Sequence, residues 1–234
     1  MKQAYVQAMR LGRAVAGKTR VLAALERSSS PRVRWIRTLF GIYDSADLVH
    51  LDLPWWTYAS IDAVENFLAG RVGRATRVFE YGAGASTVWL AKRCTSVHST
   101  EHDRPFAEAM QALFSAHPNV AVAVVPDTQA TGAPGEARSL RKGYQDRAFD
   151  DYVQSISKID GEFDLVVIDG RARVACLAAA LDRLSADGIV LFDNSDRAEY
   201  RAGIESSGLV ETRLPGLAPA LPLPSQTSLL AKRR

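Results

Sequence analysis

Apolar positions change their spacing near residue 77. Before that point they recur at helical intervals. Residues 4–27 read as one helix, the SSSP run at 28–31 interrupts it, and residues 32–41 carry a second short helix. In DLPWWTYASIDAVENFLAG (52–70) a proline turn opens a helix with Ile61, Val64, Phe67 and Leu68 on one face and Thr57 at its N-cap.

From residue 77 short apolar runs alternate with helical stretches. Strands are predicted at 77–81, 95–100, 120–125, 163–169 and 188–194. Helices are predicted at 86–94, 104–116, 147–158, 173–184 and 196–207. FDLVVID and GIVLFDN are almost continuously apolar, as strands buried on both faces of a parallel sheet should be. LVETRL (209–214) and QTSLLAK (226–232) flank the proline-rich GLAPALPLPS and read as a terminal antiparallel pair. The pattern predicts an α/β fold: a doubly wound, Rossmann-like seven-stranded sheet with an antiparallel last strand. A helical N-terminal extension over 1–50 precedes a main domain over 51–234.

Length and composition add limits. At 234 residues the chain can bury one sizeable core. No apolar run approaches the roughly 18 residues of a membrane span. Charges break the first twenty residues every few positions, which argues against a secretory signal. Cys94 and Cys176 are isolated in helix-like contexts, the expectation for reduced thiols in a cytoplasmic protein.

The charge is uneven. Residues 1–40 hold nine Lys/Arg (Lys2, Arg10, Arg13, Lys18, Arg20, Arg27, Arg32, Arg34, Arg37) against one acid, Glu26, a balance of +8. That leaves −5 for the remainder of a chain whose net charge is +3. The arm reads as a solvated extension packed beside the domain, with contact to a membrane surface or a partner protein as the alternative. The mildly acidic body argues against a nucleic-acid partner.

The candidate chemistry lies at the carboxyl ends of the strands, where an open parallel sheet binds its ligand. Strand one ends in Glu80 before Gly82 and Gly84, strand two in Glu101 and strand three in Asp127. Strand four ends in Asp169-Gly170 and strand five in Asp193-Asn194. The run Gly82-Ala83-Gly84-Ala85-Ser86-Thr87 lacks the third glycine of a dinucleotide fingerprint. A carboxylate at Glu80 would repel a pyrophosphate but can receive an ammonium group. S-adenosylmethionine (SAM) carries an amino acid end and a sulfonium and no phosphate. Glu101 is placed to accept hydrogen bonds from both ribose hydroxyls, and Asp127 or Thr128 to face the adenine. Tyr81, Ser86, Thr87, His102 and Asp169 complete the candidate cofactor set.

At these residues the sequence resembles the class I SAM-dependent methyltransferases over about 77–232. The acid followed by GxG appears as Glu80-Tyr81-Gly82-Ala83-Gly84, and the acid of the second strand as Glu101. The resemblance implies methyl transfer. Ile168-Asp169-Gly170-Arg171 stands where methyltransferases of base amino groups carry an Asn/Asp-Pro-Pro-aromatic run, which disfavours that substrate class. Asp169 with Asp193-Asn194 looks like the metal triad of the cation-dependent, catechol-type O-methyltransferases and implies Mg²⁺; helix capping by Asp193-Asn194 is the alternative. That family's catalytic lysine is replaced by Ala172, between Arg171 and Arg173. Asp169 and Arg171 are the candidate catalytic residues; His102 is a looser candidate for the base, with a solvated surface residue as the alternative.

Two segments are candidates for holding the acceptor. The polar stretch 127–147 carries Arg138, Arg141, Lys142, Tyr144 and Arg147. With Arg171, Arg173, Arg197 and Arg201 these can attract an anionic small molecule, or form a solvated basic loop. Trp55-Trp56 reads as a plug at the sheet end or a wall of the acceptor pocket. The expected activity is therefore O-methylation of a small molecule. A non-catalytic SAM-fold binding module and an NAD(P)-dependent oxidoreductase are the alternatives, and the oligomeric state is left open.

Overall fold

The computed structural model describes residues 2–18, 20–28, 30–41 and 44–233. The N-terminal region holds α1 (Lys2–Lys18), α2 (Val21–Glu26), α3 (Pro31–Leu39) and α4 (Ser45–His50). The single helix expected over 4–27 is two, because Arg20 takes a left-handed conformation (φ 57°) between α1 and α2. Pro31 starts α3 at the position where its missing N–H costs nothing. α5 (Tyr58–Ala69) follows, capped as expected by Thr57, whose Oγ1 accepts from Ser60 N at 3.3 Å.

The alternating region contributes β1 (Arg77–Tyr81), α6 (Ala85–Ala91), β2 (Ser96–Glu101), α7 (Arg104–Ser115) and β3 (Val120–Val124). Within the polar stretch β4 (Thr128–Gln129) and β5 (Arg147–Ala148) pair as a small antiparallel ribbon. Then come α8 (Asp150–Gln154) with a 3₁₀ turn (Ser155–Lys158), β6 (Phe163–Ile168), α9 (Arg173–Leu181) and β7 (Leu184–Asp193). α10 (Ala198–Ser206), β8 (Val210–Gly216) and β9 (Ser225–Ala231) close the chain. The helix expected over 147–158 is thus shorter, since β5 takes its first residues.

The sheet order is β3-β2-β1-β6-β7-β9-β8. β1, β2, β3, β6 and β7 run parallel, and β9 inserts antiparallel between β7 and β8. This is the doubly wound seven-stranded sheet with an antiparallel last strand that the pattern predicts. The period of two sorts its side chains into two layers. Phe79, Tyr81, Val166, Ile168, Val190 and Phe192 join the core under α8, α9 and α10. Val78, Leu165, Val167 and Leu191 face the opposite layer with Trp56, Trp89 and Leu90.

The basic arm packs on the domain. Arg37 is 3% exposed and donates to both Asp47 oxygens (2.8 and 2.9 Å) and to Glu26 (2.7 Å). Arg13 pairs with Asp44 and Asp47. Trp35 Nε1 donates to Leu221 O (3.2 Å), and Ala220 N donates to Thr38 Oγ1 (2.9 Å), tying α3 to the proline-rich linker. Arg20, Arg27, Arg32 and Arg34 remain exposed, and the side chains of Lys2, Arg10 and Lys18 lie outside the described set. Among the described residues no helix is long and apolar enough to cross a membrane.

Candidate functional site

The strand order reverses beside β1, and there a cleft of about 450 Å³ opens at the carboxyl ends of β2, β1, β6 and β7. Two loops meet at its floor. Gly82 N donates to Thr100 O (2.8 Å), and Asp169 N to Tyr81 O (3.0 Å). Gly82 sits at φ 98°, and a Cβ there would fall 2.9 Å from the Gly170 backbone. Only glycine satisfies both conditions. Gly84 differs: its backbone is extended (φ 176°), and a Cβ would meet nothing within 4 Å. Gly84 therefore opens space in the cleft wall.

Glu80 does not line this cleft. It is fully buried behind the glycine loop, where three hydroxyls donate to its carboxylate: Ser86 Oγ, Thr87 Oγ1 (2.6 Å) and Ser99 Oγ (2.6 Å). Thr87 Oγ1 also accepts from Gly84 N at 2.9 Å. Burial raises the Glu80 carboxyl to about 7 despite these three donors. The sequence placed Glu80 against the cofactor's ammonium; the structure makes it the anchor that holds the loop. Thr87 belongs to that anchor, while Ser86 reaches the cleft. Tyr81 also lies off the cleft, its hydroxyl donating to Val153 O at 2.7 Å.

Glu101 lines the cleft at 5% exposure. Its Oε1 accepts from His102 N and Asp103 N, both at 2.8 Å, so the chain reversal into α7 fixes the carboxylate. Its Oε2 receives no hydrogen bond from a described residue. His102 is not the solvated residue expected. Its side chain is 9% exposed and packs beside Tyr144 (5.7 Å), Phe149 (5.8 Å) and Tyr152 (6.3 Å). Nδ1 lies 2.7 Å from Glu101 Oε1 without hydrogen-bond geometry, which leaves both ring nitrogens unsatisfied. Asp127 and Thr128 stand apart from the other candidate cofactor residues. Arg147 Nε engages Asp127, Thr128 pairs with Ala148, and neither residue lines the cleft. The β4–β5 ribbon has drawn them away.

On the other side of β1, Asp169 and Asp193 share a buried guanidinium. Arg173, 5% exposed, donates to Asp169 Oδ1 and O (both 2.8 Å), to Gly170 O (3.1 Å) and to Asp193 O. Asp193 Oδ2 lies 3.6 Å from Arg173 Nη1, and Thr227 Oγ1 donates to Asp193 Oδ1 at 2.7 Å. Burial, then the neighbouring Asp193, holds the Asp169 carboxyl well above the usual range. The Mg²⁺ expected from Asp169, Asp193 and Asn194 does not fit this donor set. Arg173 already supplies the positive charge, and Asn194 Oδ1 accepts from Arg197 Nη2 at 2.6 Å. Among the described residues no group of three or more His, Cys, Asp or Glu is arranged to hold a metal.

The remaining walls come from distant segments. Trp56 is fully buried edge-on against Trp89 (5.7 Å), the plug expected of it, whereas Trp55 lines the cleft. The 127–147 stretch contributes Arg141 to the lining and Tyr144, over whose ring the Arg171 guanidinium sits at 4.6 Å. Its other arginines are engaged elsewhere, Arg138 with Glu136 (2.6 Å) and Arg147 with Asp127. Arg201, expected near the site, binds Glu211 instead (2.7 and 2.8 Å). Phe106 of α7, Ser45 of α4 and Leu221 of the linker complete the lining. The sequence reading missed all three, which approach only through tertiary packing.

No family model and no curated protein matches the sequence. Similar solved structures include an rRNA methylase from Streptococcus thermophilus, with 14% identity over 74% of this chain and 96% of that one, at a TM-score of 0.49. A methyltransferase-like protein from Silicibacter pomeroyi shares 25% identity over 73% of this chain and 86% of that one, at 0.46. A Streptococcus mutans chain solved in complex with SAH shares 12% over 73% and 96%, also at 0.46.

Proposed function

We propose that this chain is a SAM-dependent methyltransferase that methylates an oxygen of a small molecule in the cytoplasm. One observation carries the reading: a pinned carboxylate, Glu101, shares a cleft with the open space over Gly84. Glu101 Oε2 is free to accept a ribose hydroxyl, and the bare Gly84 backbone admits a ligand to the loop. The loop Gly82-Ala83-Gly84-Ala85-Ser86-Thr87 lacks the third glycine of a dinucleotide fingerprint, which disfavours a pyrophosphate ligand. The cytoplasmic placement rests on Cys94 and Cys176, both free and buried.

When bound, SAM supplies a methyl group already activated by its sulfonium. The chain's task is then chiefly positioning. Gly82 and Gly84 bring the backbone to the methionyl end, Ser86 offers a hydroxyl, and Glu101 orients the ribose. Burial and the neighbouring Asp193 hold the Asp169 carboxyl well above its usual range, beside Arg173. When ionised, Asp169 is a stronger base than an exposed aspartate and is the group placed to take a proton from an acceptor hydroxyl. Arg171 stays charged at neutral pH, so it holds the acceptor and does not deprotonate it.

Calorimetric titration with SAH, SAM and NAD(P) tests the cofactor. SAH and SAM should bind and NAD(P) should not, and Glu101→Ala should weaken SAH roughly 10- to 100-fold for the loss of a charged acceptor. Full affinity in that variant would sink the ribose assignment. SAH release in an acceptor screen separates an enzyme from a module that only binds.

A further inference from the structure

Cations elsewhere around the site are matched by acids: Arg138 by Glu136, Arg147 by Asp127, Arg173 by Asp169 and Asp193, and Arg201 by Glu211. Three that line the cleft are not. Arg141, Arg171 and Arg197 form no ion pair with any described residue. Two of them are held by neutral groups. Arg171 lies 4.6 Å over the Tyr144 ring, with its Nε buried and without a hydrogen-bond partner. Arg197 donates to Asn194 Oδ1 (2.6 Å) and lies 5.8 Å from the centre of the Tyr200 ring. Burial, then the charges of Arg171 and Arg197, pulls Arg141 below its ordinary value, so the three guanidiniums repel one another.

Like charges that no acid pairs, two of them fixed by aromatic rings and an amide, make a receptor for an anion. Charge is also divided across β1: Glu101 and Asp103 stand on the β2 side without a cation, whereas on the β6–β7 side Arg173 meets Asp169 and Asp193 and leaves Arg171 and Arg197 unpaired. The cofactor's place is at the acidic end, so the basic end is left for the acceptor. We propose that Arg141, Arg171 and Arg197 bind a phosphate-class oxyanion, carried by the acceptor as a phosphate or sulfate ester. Three guanidiniums leave excess charge on a single carboxylate, and a dianion meets more of it. This assignment rests on the methyltransferase reading for the word acceptor, but the anion site itself can be measured alone.

The full chain is titrated with inorganic phosphate, inorganic sulfate, acetate and chloride at matched ionic strength, and separately with SAH. Phosphate or sulfate should bind and raise the melting temperature more than acetate or chloride. Arg141→Gln, a change in an exposed loop residue, should weaken that binding roughly tenfold and leave SAH affinity within about twofold. Arg197→Gln is the second variant and should act in the same direction. Phosphate and sulfate binding no tighter than acetate, or unaltered by both substitutions, would overturn the proposal. Loss of SAH binding in the unmodified protein would instead refute the methyltransferase reading and leave the anion result standing. Finally, phosphorylated and sulfated hydroxyl compounds should yield SAH faster than their neutral parents; equal rates would remove the oxyanion from acceptor recognition.

Discussion

Replacing Glu80 by Gln should change how stability depends on pH. The carboxyl is fully buried and raised from 4.5 to about 7. Between those values the folded protein keeps a proton that the unfolded chain has released, so stability falls as pH rises. The contribution is complete below 4.5 and gone once pH passes through 7. A shift of 2.5 units at 1.36 kcal/mol each amounts to about 3 kcal/mol, of which ~2.5 kcal/mol disappears between pH 5 and 8. Glutamine keeps the shape and does not titrate; its carbonyl can accept from Thr87 and Ser99 while its amide NH2 donates to the Ser86 hydroxyl. Urea unfolding of both proteins at pH 5 and pH 8 isolates the effect, because every other titrating group is common to the two. The wild type should lose ~2.5 kcal/mol more than Glu80→Gln across that interval. Parallel profiles would show that the three hydroxyls hold the carboxylate ionised and that burial does not dominate.

Other substitutions separate architecture from binding. Gly84→Val should leave stability within about 1 kcal/mol, because a Cβ there meets no neighbour, yet weaken SAH at least roughly tenfold in calorimetry by filling the cleft. In Gly170→Ala the new Cβ would fall 2.0 Å from the Tyr152 hydroxyl, so denaturant unfolding should show a loss of about 1–3 kcal/mol. Tyr152→Phe in the same chain should recover part of that loss. Arg173→Met strips the cation from a buried acid pair and should cost about 3–5 kcal/mol by the same assay. With Arg173 in place, SAH binding and turnover should be indifferent to a chelator. A chelator-sensitive rate restored by Mg²⁺ would reverse the assignment of Arg173.

The fold was legible because the hydrophobic period changes with the element, and the doubly wound order follows from strands that alternate with helices. What escaped the sequence were local events with competing solutions. Arg20 breaks the first helix with no proline or glycine at its own position, and β5 takes residues that also suit a helix. At the site, Glu101, Asp169 and Asp193 share the cleft while Glu80 and Asp127 do not, because one position in a sequence pattern does not reveal what a carboxylate meets. Glu80 meets Ser99, a residue on the neighbouring strand, and Thr87, one helical turn beyond its loop. Asp127 meets Arg147 across a twenty-residue excursion. Asp169 meets Arg173, and here a local signal existed: an acid and an arginine four apart across a helix start can close on each other. That pairing bears on chemistry as well as packing. An arginine fixed between Asp169 and Asp193 neutralises them as a cation would, but it offers no open coordination position to an acceptor oxygen. On the proposed reading, removal of the acceptor's proton falls to Asp169 in its ionised form, and placement of the acceptor to the guanidiniums that no acid restrains.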